Sequence, residues 1–203
     1  MTRPLLICDA DEVLFAFMEA FEKFLNDNGL HFTWASFALF GNILEKSSGR
    51  AVSRNEVSAL LEDFFIGPAG HMRPVERAAD TLRELSARCD IVILSNLPHA
   101  GAPLRRRLLE CHGMGYPLHV NAGPKGRPAR DLAGERRGPV FFIDDLAPHH
   151  ADVARHLPRA RRIQFIAHPR LSALAPRADC HLHARDWQQI GAFIGEVLDD
   201  AGY

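Results

Sequence analysis

A chain of 203 residues is long enough for one domain, or for one core domain with a small insertion. Hydrophobic residues make up 47% and charged residues 24%, the balance of a chain with a real core, and a formal net charge of −1 excludes a global field for nucleic acid or a membrane surface. Four apolar residues, Leu5 to Cys8, are too few for a signal-peptide core, and no run approaches the roughly 20 apolar residues of a transmembrane helix. Cys8, Cys89, Cys111 and Cys180 form no CxxC pair and are expected to be buried, reduced thiols, so a cytoplasmic location is expected.

The first predicted strand covers residues 4–8 and runs directly into Asp9-Ala10-Asp11-Glu12. Two carboxylates two residues apart, at the end of a buried strand, stand where open α/β sheets bind ligands. Such acids repel each other and call for a cation, and oxygen-only ligands suit Mg²⁺. The plainer alternative is a turn or helix cap after a strand.

Residues 15–72 contain no strand-like run and are expected to form an all-helical insertion. Phe17, Met18, Phe21, Phe24 and Leu25 fall at helical spacing, and Gly29 suits the end of that helix. Ser53-x-x-Glu56 is a capping-box pattern ahead of Val57, Leu60, Leu61, Phe64 and Phe65. Nine of the 13 phenylalanines lie here, and either pack a small subdomain or form an apolar lid that stacks on a nucleobase. Residues 67–70, Gly-Pro-Ala-Gly, are the candidate hinge back to the sheet.

The spacing then predicts a helix over residues 74–88 and strands at 91–94, 118–120, 140–143, 163–166 and 180–182, with a last helix over 187–198. Strands alternating with helices imply a three-layer α/β fold with a Rossmann-like parallel sheet. The second core strand ends in Ser95-Asn96, whose hydroxyl and backbone N–H groups suit phosphate oxygens or an ordinary turn. Lys125 lies in a Gly/Pro-rich loop, either solvated or aimed at an anion, and Asp144-Asp145 form a second acidic pair at a strand end. The arginines of 105–107 and of 159–162 read as solvated charge, His149-His150 as first-turn helix residues, and His181-x-His183 lacks a third ligand for zinc.

These motifs, in order, resemble those of the haloacid dehalogenase-like superfamily over almost the whole chain. Asp9, Asp11 and Val13 match its Asp-x-Asp-x-[Thr/Val], Ser95 its second motif, Lys125 its third and Asp144-Asp145 its fourth. The first and fourth are specific together; the second and third are merely compatible.

The resemblance implies a core of residues 1–14 and 73–203 with a small helical cap of 15–72. It also implies phosphate-ester hydrolysis. Asp9 would be the nucleophile and Asp11 the acid–base group. Ser95 and the Asn96 N–H would hold phosphate, together with Lys125. Mg²⁺ would be held by Asp9, the Asp11 carbonyl, Asp145 directly and Asp144 through water. Asp11 favours a phosphate ester over carbon–halogen chemistry, which needs no such acid. A phosphomutase, a phosphonatase, a dehalogenase and a non-catalytic binding protein are the alternatives. Many family phosphatases have glycine where this chain has Glu12, which leaves the substrate class more open than the reaction type. A small phosphorylated metabolite, such as a nucleoside monophosphate, is the expected partner of a monomer or homodimer, with no nucleic acid and no membrane.

Overall fold

The computed structural model describes residues 2–203; Met1, at the start of the expected core segment, lies outside them. In chain order the elements are β1 (Leu5–Cys8), α1 (Phe17–Asp27), β2 (Leu30–Phe32), β3 (Ile43–Glu45), α2 (Arg54–Ile66), α3 (Ala78–Ser86), β4 (Asp90–Asn96) and α4 (Ala102–Cys111). They continue with β5 (Leu118–Asn121), α5 (Gly126–Ala133), β6 (Val140–Asp144), α6 (Ala147–His156), β7 (Arg161–Gln164), α7 (Pro169–Leu174), β8 (Leu182–His183) and α8 (Trp187–Asp200).

Six strands form one parallel sheet in the order β5-β4-β1-β6-β7-β8. The two-residue period of β1 splits its side chains between two cores. Leu6 and Cys8 join the larger cluster with Trp187, Ile190 and Ile194 of α8, and Leu5 and Ile7 join the smaller one with Ala129 and Ala133 of α5, Val153 of α6 and Leu157 just after it. Helices therefore cover both faces, which is why the strands read as continuous apolar runs rather than as alternating ones. The chain moves outward from β1 to β4 and β5 and then returns to place β6 on the other side of β1. The carboxyl ends of β1, β4 and β6 thus meet at the point where strand order reverses, where a crevice opens in such sheets.

The insertion differs from the all-helical expectation. After α1 the chain turns at Gly29 (φ +72°) into an antiparallel β2–β3 hairpin, with Leu30 opposite Glu45 and Phe32 opposite Ile43. These strands are three residues each, too short to register as a period. The capping box at Ser53 and Glu56 forms on α2 as expected. Residues 68–71 wind into a 3-10 turn with Ala69 buried, so the expected hinge is a packed corner.

The helix expected from residue 74 starts at Ala78. The residues before it return to the sheet instead: Ala16 N–H donates to the Arg73 carbonyl and Val75 N–H to the Leu14 carbonyl, so the two crossings into and out of the insertion lie side by side. β7 begins two residues earlier than expected, and β8 is reduced to two residues. Cys8 and Cys89 are buried, but Cys111 is exposed, contrary to the expectation of four buried thiols. No helix among the described residues is long and apolar enough to cross a membrane.

Candidate active site

The larger hydrophobic cluster passes without a break from Leu6 and Cys8 through Phe17, Phe21 and Phe64 into the insertion. Between the strand ends and the insertion lies a cavity of about 700 Å³. Asp9, Asp11, Asn96, Lys125 and Asp145 line it, joined by Glu12 and His149. Ser95 and Asp144, also expected at the site, are fully buried behind that lining.

Lys125 organises the floor. Its Nζ lies 2.7 Å from Asp9 Oδ1 and 2.8 Å from Asp144 Oδ2, with no solvent exposure. Burial alone would lower the lysine, but the two carboxylates outweigh it and hold it charged. Its position is fixed by α5, which starts at the next residue: Gly126 N–H donates to Asp152 Oδ2 of α6 at 2.6 Å. A Cβ at residue 126 would fall 2.5 Å from the Asp152 carbonyl, so only glycine permits this approach.

The two acids of the second pair have different surroundings. Asp144 Oδ1 accepts from Leu146 N–H and pairs with His149 Nδ1, both at 2.9 Å, while Oδ2 meets Lys125. Burial works against its ionisation, but Lys125 and His149 outweigh it and hold the acid well below the usual range. The Asp145 carboxylate has no hydrogen-bond or ion-pair partner among the described residues. Burial, then the charges of Asp144 and Asp9, push it well above the usual range. Asp9 itself is raised to about 6, by burial first and by Asp144 and Asp11 further, against the pull of Lys125. Oxygens of Asp9, Asp144 and Asp145 lie within 4.8 Å of one another. Three hard oxygen donors around one lysine, with one acid uncompensated, fit a divalent cation such as Mg²⁺.

Asp11 is held by a residue that the sequence reading set aside. Arg105, 2% exposed, places Nη2 2.7 Å from Asp11 Oδ1 and Nη1 3.4 Å from Ser95 Oγ. Its guanidinium also lies over the rings of Phe15 and Phe65. It is therefore no solvated charge, and Arg162 is buried as well. The available signal was period: Ala102, Arg105, Leu108 and Leu109 share the buried stripe of α4. Asn96 reaches the cavity, but its side chain donates to the Gly123 carbonyl and accepts from Asn121. His149 and His150 do lie in the first turn of α6, and His149 proves to be an Asp144 partner as well.

Glu12 has φ +59°, the left-handed backbone that glycine adopts freely. Its carboxylate accepts from Met18 N–H at 2.7 Å, in the first turn of α1, and from His168 N–H at 2.8 Å, at the cap of α7. Burial raises it to about 7 against those two hydrogen bonds. The side chain thus ties the turn after Asp9 and Asp11 to the start of the insertion and to α7.

No family model and no curated protein matches the chain. Solved structures do. A haloacid dehalogenase-like hydrolase from Streptococcus pneumoniae superposes with a TM-score of 0.63 at 15% identity, over 96% of this chain and 98% of that one. The hydrolase YfnB of Bacillus subtilis, described as bound to magnesium, gives a TM-score of 0.59 at 12% identity, over 96% and 99%. An L-2-haloacid dehalogenase gives 0.61 at 12% identity, over 96% and 100%. The chain therefore has the fold of the haloacid dehalogenase-like hydrolases.

Proposed function

We propose that this protein is a Mg²⁺-dependent phosphatase that cleaves a small phosphate monoester through an aspartyl-phosphate. The observation that carries the reading is the floor of the cavity, where Asp9 is held through one oxygen by Lys125 and stands beside the unpaired Asp145. A bound Mg²⁺ would be held by Asp9, the Asp11 carbonyl and Asp145, with Asp144 behind, and would offset the charge of the phosphate.

The remaining Asp9 oxygen attacks phosphorus in line; the bond from phosphorus to the leaving oxygen breaks, and Asp11 gives that oxygen a proton. Asp11 then takes a proton from the water that attacks the aspartyl-phosphate, so that inorganic phosphate leaves and Asp9 is restored. Arg105 orients Asp11 through one carboxylate oxygen, and Asp11 lines the cavity. Lys125 neutralises charge on Asp9 and the incoming phosphoryl group, and Ser95 with the Asn96 N–H is the proposed phosphate cradle. Asp11 in the cavity favours an ester, whose alkoxide needs a proton, over a carbon–halogen bond, whose halide does not.

Phosphate release from an aryl phosphate in the presence of Mg²⁺ tests this. The expected result is activity that disappears on adding EDTA and in Asp9→Asn. Undiminished hydrolysis by Asp9→Asn would refute the assignment of the nucleophile.

A further inference from the structure

The walls of the cavity differ chemically from its floor. Every ionisable group that lines it (Asp9, Asp11, Glu12, Lys125, Asp145, His149) stands on the core side. From the insertion come Phe17 and Met18 of α1, Phe37, Leu39 and Phe40 of the loop after β2, and Ser58, Leu61 and Phe65 of α2. Ser58 is the one polar side chain among them, and its hydroxyl already donates to the Arg54 carbonyl at 3.0 Å.

Among the described residues no free cation faces the apolar wall. Lys125 is held on the floor by Asp9 and Asp144, where it faces the phosphoryl position and not the apolar wall. Arg54 lies over the Phe40 ring, 4.7 Å from its centroid, and Arg50 is bound by Glu45 and Glu56. A second phosphate or a carboxylate on the substrate would therefore meet no counter-charge. A sugar would bring several hydroxyls and find a single side-chain acceptor on the insertion wall. Each hydroxyl desolvated without a partner costs about tenfold or more in binding. The volume suits a group of one or two rings. Phe40, 38% exposed, is among the few large apolar side chains left at the surface, as expected of a wall that a ligand covers.

We infer that the substrate is the phosphate monoester of an apolar alcohol, aromatic or branched aliphatic, with no second charged group and at most one hydrogen-bonding group at the height of Ser58. This rests on the phosphatase reading above and narrows it, and it argues against the nucleoside monophosphate expected from the aromatic content alone. A nucleobase would find stacking surface, but its ribose and ring edges would find no partners.

The experiment compares kcat/KM of the Mg²⁺-loaded full-length protein for 2-phenylethyl phosphate, hexyl phosphate, glycerol 3-phosphate, ribose 5-phosphate and AMP. These are esters of primary alcohols or, for ribose 5-phosphate and AMP, primary sugar hydroxyls, so leaving-group chemistry is similar. The expected result is 2-phenylethyl phosphate about 100-fold above the glycerol and ribose esters. Each added methylene in an alkyl series should give about two- to fourfold. Phe37→Ala and Phe40→Ala should each lower the phenylethyl-to-glycerol ratio about tenfold. If ribose 5-phosphate or AMP is cleaved as well as the phenylethyl ester, in an Asp9-dependent manner, the substrate inference falls and the phosphatase reading stands. If none of the esters or the aryl phosphate releases phosphate with Mg²⁺, the phosphatase reading falls and takes the inference with it.

Discussion

Replacing Asp145 by asparagine separates what its charge costs from what it provides. In the metal-free protein its carboxylate is buried beside Asp144 and Asp9, without a partner, and is pushed well above the usual range. A group raised in this way contributes stability that is fully present below its unfolded pKa, about 4, and is lost as pH rises through the folded value. Metal-free wild type should thus weaken from pH 4.5 to pH 8, with Asp9, raised to about 6, adding to the slope. Asp145→Asn keeps the shape and removes the charge, so without metal it should melt above wild type at pH 8 and close to it at pH 4.5. With Mg²⁺ the order reverses. A cation at 100 times its dissociation constant stabilises the folded state by about 2.7 kcal/mol. For a chain of this length 1 kcal/mol corresponds to about 2–4 °C, so wild type should gain about 5–11 °C. The variant should gain almost nothing. Thermal unfolding followed by circular dichroism, at both pH values, with EDTA or Mg²⁺, measures all of these. A variant less stable than wild type at pH 8 without metal, or one that keeps the whole Mg²⁺ shift, would refute the assignment of Asp145 as an uncompensated metal ligand.

The left-handed backbone at Glu12 predicts that Glu12→Gly is more stable than Glu12→Ala by about 1 kcal/mol in urea denaturation, since both lose the carboxylate and only glycine relieves φ +59°; equal midpoints would contradict this. Lys125→Met leaves Asp9 and Asp144 buried without their cation and should cost about 3–5 kcal/mol at pH 8 without metal, less at pH 4.5, by the same method. Arg105→Met frees Asp11 from its orienting partner. It should lower kcat about tenfold or more for alkyl esters, whose leaving oxygen needs a proton, and less for an aryl ester with an acidic phenol, with partial recovery in Arg105→Lys. Gly126→Ala should cost about 1–3 kcal/mol by forcing α5 away from Asp152.

The centre of the sheet was legible because β1 and β6 are apolar on both faces: residues 5–8 and 140–143 have no or almost no exposure, and burial of that kind leaves a continuous run in the sequence. The acids were legible because they follow such runs without an intervening turn residue. The hairpin of the insertion was not, since three-residue strands carry no period and the pairing that makes them is tertiary. The early start expected for α3 failed for a related reason. Pro74 and Val75 have helical character locally, but the crossing beside Leu14 and Phe15 claims their backbone. Arg105 was hidden by its neighbours: in a run of three arginines only the one in phase with Ala102, Leu108 and Leu109 turns inward, and its reason for doing so, Asp11, is 94 residues away.

Glu12 joins the two halves of the site. Glycine at this position would adopt the same left-handed turn at no steric cost, so the side chain must be explained by what it reaches. One carboxylate oxygen holds the first turn of α1, and the other holds His168. The His168 ring in turn stacks on Trp34, with centroids 4.7 Å apart, and Trp34 donates to Glu22 of α1 from the loop that also carries Phe37 and Phe40. A closed circuit therefore runs from the turn after Asp11, through α7, into the apolar loop and back to α1. Its effect is to tie the loop that carries Phe37 and Phe40 to the core by hydrogen bonds and ring stacking, in addition to the hydrophobic cluster that Trp34 joins. Glu12 is raised to about 7, burial outweighing both N–H contacts, so the stability it contributes is present at acid pH and is lost as pH rises through that value.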